Sequence, residues 1–214
     1  MYKVCILAAG KGTRNKYAKD SNKALLPLVC GTALSYIVSK FPREAEIVIA
    51  VGYNAQMVKQ YAYSKWGDRI TFVDTDYEGE VRGPGRALYQ CSPFLQCPFV
   101  YVACDTIVTS DIPAPDRNWI GVSIVGTKEP YLTVKLENGL VRNVYDKGDS
   151  NATYLASIGL VGVKDYKPFF EGLSHPHKVQ GEEQDSAGLR KLIPYQLYME
   201  RLNWLDIGNT EGYE

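Results

Sequence analysis

The feature that most constrains the fold is the alternation of short apolar runs with helical patterns in the first half of the chain. Residues 3–9 and 46–51 (EIVIAV) have almost no polar interruption, which is typical of parallel strands buried on both faces. This order predicts an α/β protein with a doubly wound, mixed but mainly parallel sheet and right-handed crossovers. The other predicted elements of this half are strands at 70–73 and 99–103, helices at 32–41, 55–66 and 87–91, and a glycine-rich loop at 76–86.

The second half of the chain is predicted to be richer in strands. A hairpin is expected to turn at Asn138-Gly139, a pair that favours the tight turns of hairpins. We interpret this half as a small β-rich lobe that continues the sheet, so that residues 1–214 form one domain with halves at 1–110 and 111–214. The predicted elements are strands at 121–127, 155–163 and 195–202, a hairpin at 132–145, and helices near 165–172 and 184–192.

Charge, hydropathy and cysteine usage exclude several classes of partner. The 24 basic and 24 acidic side chains cancel, so no basic excess indicates a nucleic-acid partner. The longest apolar runs are strand-length, too short to span a membrane, and no signal peptide is expected. The five cysteines form no C-x-x-C pair, and Cys5 and Cys104 lie in apolar runs. Reduced thiols of this kind favour a cytoplasmic location.

The most informative motif, residues 7–14 (LAAGKGTR), directly follows the first predicted strand. Small residues there let the backbone turn sharply and bring consecutive N–H groups close to an anion. Thr13 adds a hydroxyl, and Arg14 adds a fork of N–H donors suited to phosphate oxygens. The P-loop and dinucleotide-binding spacings are both absent, so from these residues alone a tight strand-to-helix turn remains an alternative.

A second segment, residues 22–28 (NKALLPL), follows shortly after Arg14. The pair L-A-A-G-x-G-T-R and K-A-L-L-P-L resembles the signature of the sugar-phosphate nucleotidyltransferases and their small cytidylyltransferase relatives. The resemblance implies the Rossmann-like nucleotidyltransferase fold and extends weakly over nearly the whole chain. Its weaker parts are the segments 51–53 (VGY), 83–87 (GPGRA), 103–105 (ACD), 157–160 (SIGL) and 204–208 (WLDIG).

The sequence departs from the family pattern in three places. Asn15, Lys16 and Tyr17 stand where the family often has Leu-x-Pro. Gly85-Arg86 replaces a commoner Gly-Thr, which leaves the identity of the base open. Residues 182–185 (EEQD) match only loosely the acidic motif near the acceptor site of the family.

The resemblance implies that an NTP (CTP, UTP, GTP or dTTP) reacts with a small phosphorylated acceptor. An acceptor phosphate oxygen attacks the α-phosphorus in line, and pyrophosphate leaves. Two anions must meet, so the site has to neutralise charge and fix geometry, and no protein nucleophile is needed. Mg²⁺ is the expected cofactor, because it takes hard oxygen ligands from one or two carboxylates plus phosphates. A homodimer stays open.

The family motifs, and for Tyr154 the chemistry of its aromatic ring, assign candidate residues to four roles. The catalytic candidates are Arg14, Lys23 and Asp105, and the metal ligands are Asp105 and Asp206. The nucleotide-binding candidates are Leu7, Ala8, Ala9, Gly10, Lys11, Gly12, Thr13, Arg14, Gly83, Cys104 and Asp105. The acceptor-binding candidates are Lys23, Gly159, Tyr154 and Glu183.

Each charged candidate also has an ordinary structural interpretation. Asp105 suits a helix cap or turn, Asp206 suits a turn, and Lys23 suits a solvated loop. The family motifs favour the functional role in all three cases.

The acceptor is the least determined part of the prediction. A sugar 1-phosphate is the first choice, with sugar-nucleotide and polysaccharide synthesis as the setting. The alternative is a CTP-dependent cytidylyltransferase for a phosphonate or for phosphocholine, whose ammonium group Tyr145, Tyr154 and Trp204 would cage, although these rings also suit the core. A catalytically inactive nucleotide-binding module and a glycosyltransferase are the remaining hypotheses. The presence of Arg14, Lys23, Asp105 and Asp206 disfavours the first, and the Gly-x-Gly-Thr-Arg loop, which a glycosyltransferase would not need, disfavours the second.

Overall fold

The computed structural model describes residues 2–214, so Met1, included in the predicted domain, lies outside the described residues. The first half alternates strands and helices as predicted. Its elements are β1 (Lys3–Ala8), β2 (Pro27–Leu28), β3 (Gly31–Thr32), α1 (Ala33–Ser39), β4 (Glu46–Val51), α2 (Ala55–Trp66), β5 (Ile70–Asp74), α3 (Pro84–Cys91), β6 (Phe99–Ala103) and β7 (Thr106–Val108).

The second half contains eight strands and three short helices among the described residues. Its elements are β8 (Asn118–Ile124), β9 (Thr133–Glu137), β10 (Leu140–Tyr145), β11 (Leu155–Val163), α4 (Tyr166–Leu173), β12 (Lys178–Val179), β13 (Glu182–Glu183), α5 (Ser186–Leu192), β14 (Leu197–Arg201), β15 (Trp204–Asp206) and α6 (Thr210–Tyr213).

One nine-stranded sheet joins the two halves in the order β5-β4-β1-β6-β11-β8-β14-β10-β9. The strands β5, β4, β1 and β6 are parallel, and β14 is parallel to β8. The other neighbouring pairs are antiparallel. The predicted α/β fold with a mixed sheet is confirmed, and the predicted division into halves stays a prediction.

Helices cover the sheet on both faces. Successive side chains of β1 point to opposite faces, so they belong to different core clusters. Val4 and Ile6 belong to a cluster that contains the apolar faces of α1 and α2. Cys5 belongs to a second cluster, which contains residues of α3, α4 and α5. This double cover explains why β1 and β4 are continuous apolar runs. Among residues 2–214, no helix is both long enough and apolar enough to cross a membrane.

Local chemistry sets the element boundaries, and the start of α3 and both ends of β8 differ from the prediction by three residues. Thr32 caps α1 through a reciprocal capping box with Ser35. Helix α3 begins at Pro84 rather than residue 87, because proline at the first helical position loses no intrahelical hydrogen bond. Strand β8 begins at Asn118 rather than residue 121 and ends at Ile124 rather than residue 127.

The two-stranded ladder of β7 and β15 was not predicted. Asp206 pairs with Thr106, and Trp204 pairs with Val108. The ladder could not be recognised from the sequence because each strand has only three residues. Its importance is positional, because it joins the end of β6 to a segment that lies far away in the sequence.

Candidate active site

A cavity of about 540 Å³ opens at the carboxyl ends of β1 and β6. Ligands of open α/β sheets bind outside the carboxyl ends of strands, so this is the expected place for a site. The cavity brings together most of the sequence-predicted residues. Those that line it are Leu7, Ala9, Gly10, Lys11, Gly12, Thr13, Arg14, Lys23, Gly83, Cys104, Asp105, Gly159 and Asp206.

Three predicted residues do not line the cavity. Ala8 is fully buried as the last residue of β1, where its side chain packs in the core. The Tyr154 side chain is 57% exposed and packs against the Lys128 ammonium instead. Glu183 is buried in the short strand β13. The proposed aromatic cage fails as well, because Trp204 lines the cavity but Tyr145 and Tyr154 do not.

The glycine loop, residues 9–14, forms one wall of the cavity. Gly12 has a φ of +65°, a conformation that side chains rarely adopt. A Cβ at Gly12 would also lie 2.8 Å from Cγ of Lys23. Glycine therefore lets the loop turn and lets the Lys23 stem pack against it.

Two buried asparagines fix the ends of this wall, and the sequence motifs did not identify them. The Asn15 amide donates to the Ile207 carbonyl at 2.9 Å, which ties the loop to the segment after β15. The Asn22 amide donates to the carbonyls of Ala8 and Tyr53, both at 2.8 Å. Asn15 occupies a position where the sequence departs from the family pattern, and here it anchors the loop by hydrogen bonds.

Asp105 and Asp206 converge on Gly208. A Cβ built there would lie 2.5 Å from Oδ2 of Asp105 and 2.9 Å from Oδ1 of Asp206. The β7–β15 ladder causes this convergence, and the Ile207 N–H extends it by donating to the Asp105 carbonyl at 3.1 Å. Two carboxylates beside a space for phosphate oxygens and water fit the hard-oxygen coordination of Mg²⁺. No group of three or more acidic, histidine or cysteine side chains within residues 2–214 offers another metal site.

Lys23 and Asp105 form a mostly buried ion pair, with side chains 13% and 16% exposed. Burial is the largest single effect and lowers the pKa of Lys23, but the negative charge of Asp105, the Cys104 thiol group and the hydrogen bond to Asp105 together outweigh burial and leave the pKa above its usual value. Burial likewise raises the pKa of Asp105, whereas the Lys23 charge and hydrogen bond leave it below the usual range. Both groups therefore stay charged at neutral pH.

Asp206 has neutral partners instead. Its Oδ1 accepts from the Gly208 N–H at 2.8 Å, and its Oδ2 accepts from the Tyr131 hydroxyl at 3.1 Å. Trp204, the first residue of β15, packs edge-to-face on Tyr131 with ring centroids 5.9 Å apart. Both rings line the cavity together with the two carboxylates.

Two further cations face the glycine-loop end of the cavity. The Lys11 ammonium is 2.9 Å from a Glu78 carboxylate oxygen, and this pair is exposed. The Arg14 guanidinium has no ion-pair partner within residues 2–214, although it is close enough to lower the pKa of Asp105. Arg14 is thus available to an anionic ligand.

The glycine turn before α3 forms another part of the cavity wall. Gly83 has a φ of +121°, and a Cβ there would lie 2.4 Å from the Glu183 carbonyl oxygen. The Glu183 N–H donates to the Arg82 carbonyl at 2.7 Å. Glu183 thus contacts the predicted nucleotide-binding turn through its backbone, whereas its side chain is buried and does not line the cavity.

Lys147 and Tyr101 also line the cavity, although the sequence motifs did not identify them, and so does Asp185, the last residue of the loosely matched segment 182–185. Lys147 has no ion-pair partner in the described part of the chain. The Tyr101 hydroxyl donates to Asp185 at 2.7 Å. Burial raises the pKa of Asp185, against the lowering effects of this hydrogen bond and of the Lys147 charge. Periodicity placed Tyr101 only in a strand, and no local motif marks Lys147.

A profile of MobA-like NTP transferase domains matches residues 4–114, which is more than half of the chain. The chain belongs to this family. The MobA-like match covers the glycine loop, Lys23 and Asp105, and it confirms the expected nucleotidyltransferase relationship. No curated protein matches the chain in sequence.

Solved nucleotidyltransferases share the fold of this MobA-like chain over nearly its full length. A UDP-glucose pyrophosphorylase in complex with UDP-glucose has a TM-score of 0.81 and 21% identity, and the match covers 100% of this chain and 96% of that one. A putative glucose-1-phosphate thymidylyltransferase from Bacillus anthracis has a TM-score of 0.82 and 18% identity, and the match covers 100% of this chain and 92% of that one. The CTP:phosphocholine cytidylyltransferase of Streptococcus pneumoniae has a TM-score of 0.76 and 18% identity, and the match covers 99% of this chain and 96% of that one.

Proposed function

We propose that this protein transfers a nucleoside monophosphate from an NTP to a small phosphorylated acceptor, in a Mg²⁺-dependent reaction that releases pyrophosphate. The observation that carries the proposal is the convergence of Asp105 and Asp206 beside the glycine loop, within one cavity. A glycine loop alone would suit many phosphate ligands. Two converging carboxylates add the place for a metal ion that phosphoryl transfer between two anions needs.

In the proposed reaction, an acceptor phosphate oxygen forms a bond to the α-phosphorus while the bond to the bridging oxygen of the β-phosphate breaks. Backbone N–H groups of the glycine loop bind the triphosphate, and Arg14 holds the departing pyrophosphate. Lys23 receives the acceptor phosphate as a point charge. Mg²⁺ held by Asp105 and Asp206 would stabilise the charge that develops on the phosphate oxygens.

No protein nucleophile takes part in this mechanism. Cys104 directly precedes Asp105 and lines the cavity, and burial raises its pKa to about 12. A thiol in this state is a poor nucleophile at neutral pH. Direct displacement by the acceptor is therefore supported, and the protein acts through positioning and electrostatics.

A sugar 1-phosphate remains the proposed acceptor. Asp185, Glu182 and Gln184 line the cavity and offer oxygen atoms to sugar hydroxyls. Lys147 adds a second cation for the acceptor phosphate. Solved relatives whose names refer to glucose derivatives and to phosphocholine share the fold, so the acceptor class needs a direct test.

The test is pyrophosphate release across a matrix of NTPs and acceptors, with Mg²⁺ present in every reaction and EDTA as the control. We expect release with one NTP and a hexose 1-phosphate, and none with EDTA. Release only with CTP and phosphocholine or a phosphonate would move the assignment to a cytidylyltransferase with a non-sugar acceptor. Nucleotide binding without release from any pair would favour an inactive binding module.

We further propose that the protein works in the cytoplasm, where sugar nucleotides are made for polysaccharide synthesis. All five cysteines are free thiols, as a reducing compartment would keep them. Cys30 is exposed, so an oxidising compartment would leave it open to reaction.

A further inference from the structure

The two carboxylates of the proposed metal site accept hydrogen bonds from different kinds of donor, and this difference affects how the site binds a metal ion. Asp206 accepts hydrogen bonds from neutral groups, the Gly208 N–H and the Tyr131 hydroxyl. Asp105 instead accepts a hydrogen bond at its Oδ2 from the Lys23 ammonium. The same Oδ2 is the Asp105 oxygen that lies nearest to Gly208, beside which Oδ1 of Asp206 also lies. Lys23 therefore binds the oxygen atom that a shared metal ion needs.

We propose that Lys23 and the divalent metal compete for Asp105, and that metal binding releases Lys23 to bind the acceptor phosphate. The inference rests on the proposed function and deepens it. A metal ion coordinated by Oδ2 would lie about 2.0–2.1 Å from it. An ammonium in hydrogen-bond contact with the same oxygen would then face a divalent positive charge without water between them, and the repulsion would drive it away.

The surroundings of Lys23 allow its side chain to move while the backbone stays in place. Asn22 fixes the preceding turn by accepting from the Ala24 N–H and donating to two carbonyls. The stem packs on Gly12, where the missing Cβ leaves room for Cγ and Cδ. A change of the outer side-chain torsions is therefore enough to turn the ammonium from Asp105 into the cavity.

This competition has a consequence for the order of binding. A metal ion that arrives with a triphosphate also gains the phosphate oxygens and the glycine loop, so it displaces Lys23 more readily than the metal alone. Lys23 then becomes available to the acceptor only after the nucleotide is bound. The ion pair thus couples the two halves of the site, and it weakens metal binding to the nucleotide-free protein.

The test measures binding of Mn²⁺ alone to the nucleotide-free full chain, by titration and by the electron paramagnetic resonance signal of free Mn²⁺. Lys23→Met and Lys23→Gln should each bind Mn²⁺ about tenfold more tightly than the wild type, a change typical of coupled sites. Lys23→Gln keeps a hydrogen-bonding group toward Asp105 and serves if Lys23→Met does not fold. Arg14→Met is the matched control, because it removes the same charge from the same cavity without touching Asp105, and it should change affinity less than about threefold.

Equal Mn²⁺ affinity in wild type and Lys23→Gln would overturn the competition, and so would an equal gain in Arg14→Met. No measurable binding in any variant would overturn it too. Failure of the proposed function is separable, since it appears as absent pyrophosphate release in the wild type whatever the Mn²⁺ affinities are. Adding Asp105→Asn to Lys23→Gln should abolish the gain, and a gain that survives would show that Mn²⁺ binds elsewhere.

Discussion

Lys11 and Lys23 line the same cavity and each pairs with one carboxylate, yet the two ion pairs differ sharply in exposure. The Lys11 and Glu78 side chains are 44% and 59% exposed, whereas Lys23 and Asp105 are 13% and 16% exposed. Water and salt screen the exposed pair, so it adds little to stability. The buried charges have lost most of their hydration, so each needs the other or a substitute.

This contrast in exposure distinguishes the charges of the site that are fixed from those that respond to ligands. Lys11 lies on the glycine loop and pairs with Glu78, so a phosphate can replace Glu78 at small cost. Lys23 leaves Asp105 only when another cation takes its place. The buried pair is therefore the part of the site that a metal ion controls, and the following variants contrast the two pairs.

Removing the carboxylate of the buried pair should have the largest effect. Asp105→Asn keeps the shape but loses the charge that holds the metal, so turnover should fall by about 10²–10³-fold. Glu78→Gln makes the same chemical change in the exposed pair and should cost less than about tenfold. Steady-state pyrophosphate release measures both. Unchanged turnover in folded Asp105→Asn would remove Asp105 from the mechanism.

Removing the lysine from the buried pair should lower the stability of the protein more than removing the lysine from the exposed pair. Lys23→Met leaves Asp105 buried without a partner, so the free energy of unfolding should fall by about 3 kcal/mol in metal-free buffer. Lys11→Met should leave the unfolding midpoint unchanged, because Glu78 is exposed and returns to water. Urea denaturation with EDTA measures both variants. Similar midpoints for the two would contradict the contrast in burial.

A smaller effect is expected at Gly12, which supports the Lys23 stem. Gly12→Ala should lower stability by about 1–2 kcal/mol because of its positive φ, and the new methyl group should also push on Lys23 Cγ. Gly79→Ala is the matched control, since Gly79 has a φ of +77° but a Cβ there would meet no atom within 4 Å. Only Gly12→Ala should raise the KM for the acceptor. An equal rise in both variants would argue against the Gly12–Lys23 contact.

The smallest effect is a pH-dependent change at Asp185, a cavity carboxyl that has no lysine ion pair of its own. Burial raises its pKa above the usual value of about 3.9, so its contribution to stability is complete below that pH and declines as pH rises through the folded-state pKa. Asp185→Asn should therefore be more stable than wild type at pH 7, with the difference vanishing near pH 4. Urea midpoints at both pH values measure it, and a difference that grows toward low pH would contradict the assignment.

The sequence predicted the parts of the molecule that depend on local patterns. The strands Glu46–Val51, Phe99–Ala103 and Leu155–Val163 and the helix Ala55–Trp66 have the predicted bounds, because periodicity and flanking breakers determine them locally. The wall formed by residues 9–14 was predicted for the same reason, since its motif is contiguous. The proposed roles of these residues stay predictions.

The rest of the cavity lining could not be predicted, because it is assembled from distant segments. Lys147 and Tyr131 line the same cavity only through tertiary packing, and no short motif marks them. Asp185 lies in the loosely matched segment 182–185, in which the sequence analysis chose Glu183 instead. Tyr154 was chosen because its aromatic ring could contact the acceptor, but the residue lies at the surface and does not line the cavity. The Lys23–Asp105 ion pair was likewise missed, because family motifs assigned the two residues to separate ligands and said nothing of their contact.

The most direct test of the account is a crystal structure with a non-hydrolysable NTP analogue and Mn²⁺, using the anomalous signal to locate the metal. We expect a metal peak between Asp105 and Asp206, the triphosphate against residues 9–14, and the Lys23 ammonium turned away from Asp105. A nucleotide bound elsewhere, with the glycine loop free of phosphate and Lys23 still paired to Asp105, would contradict it.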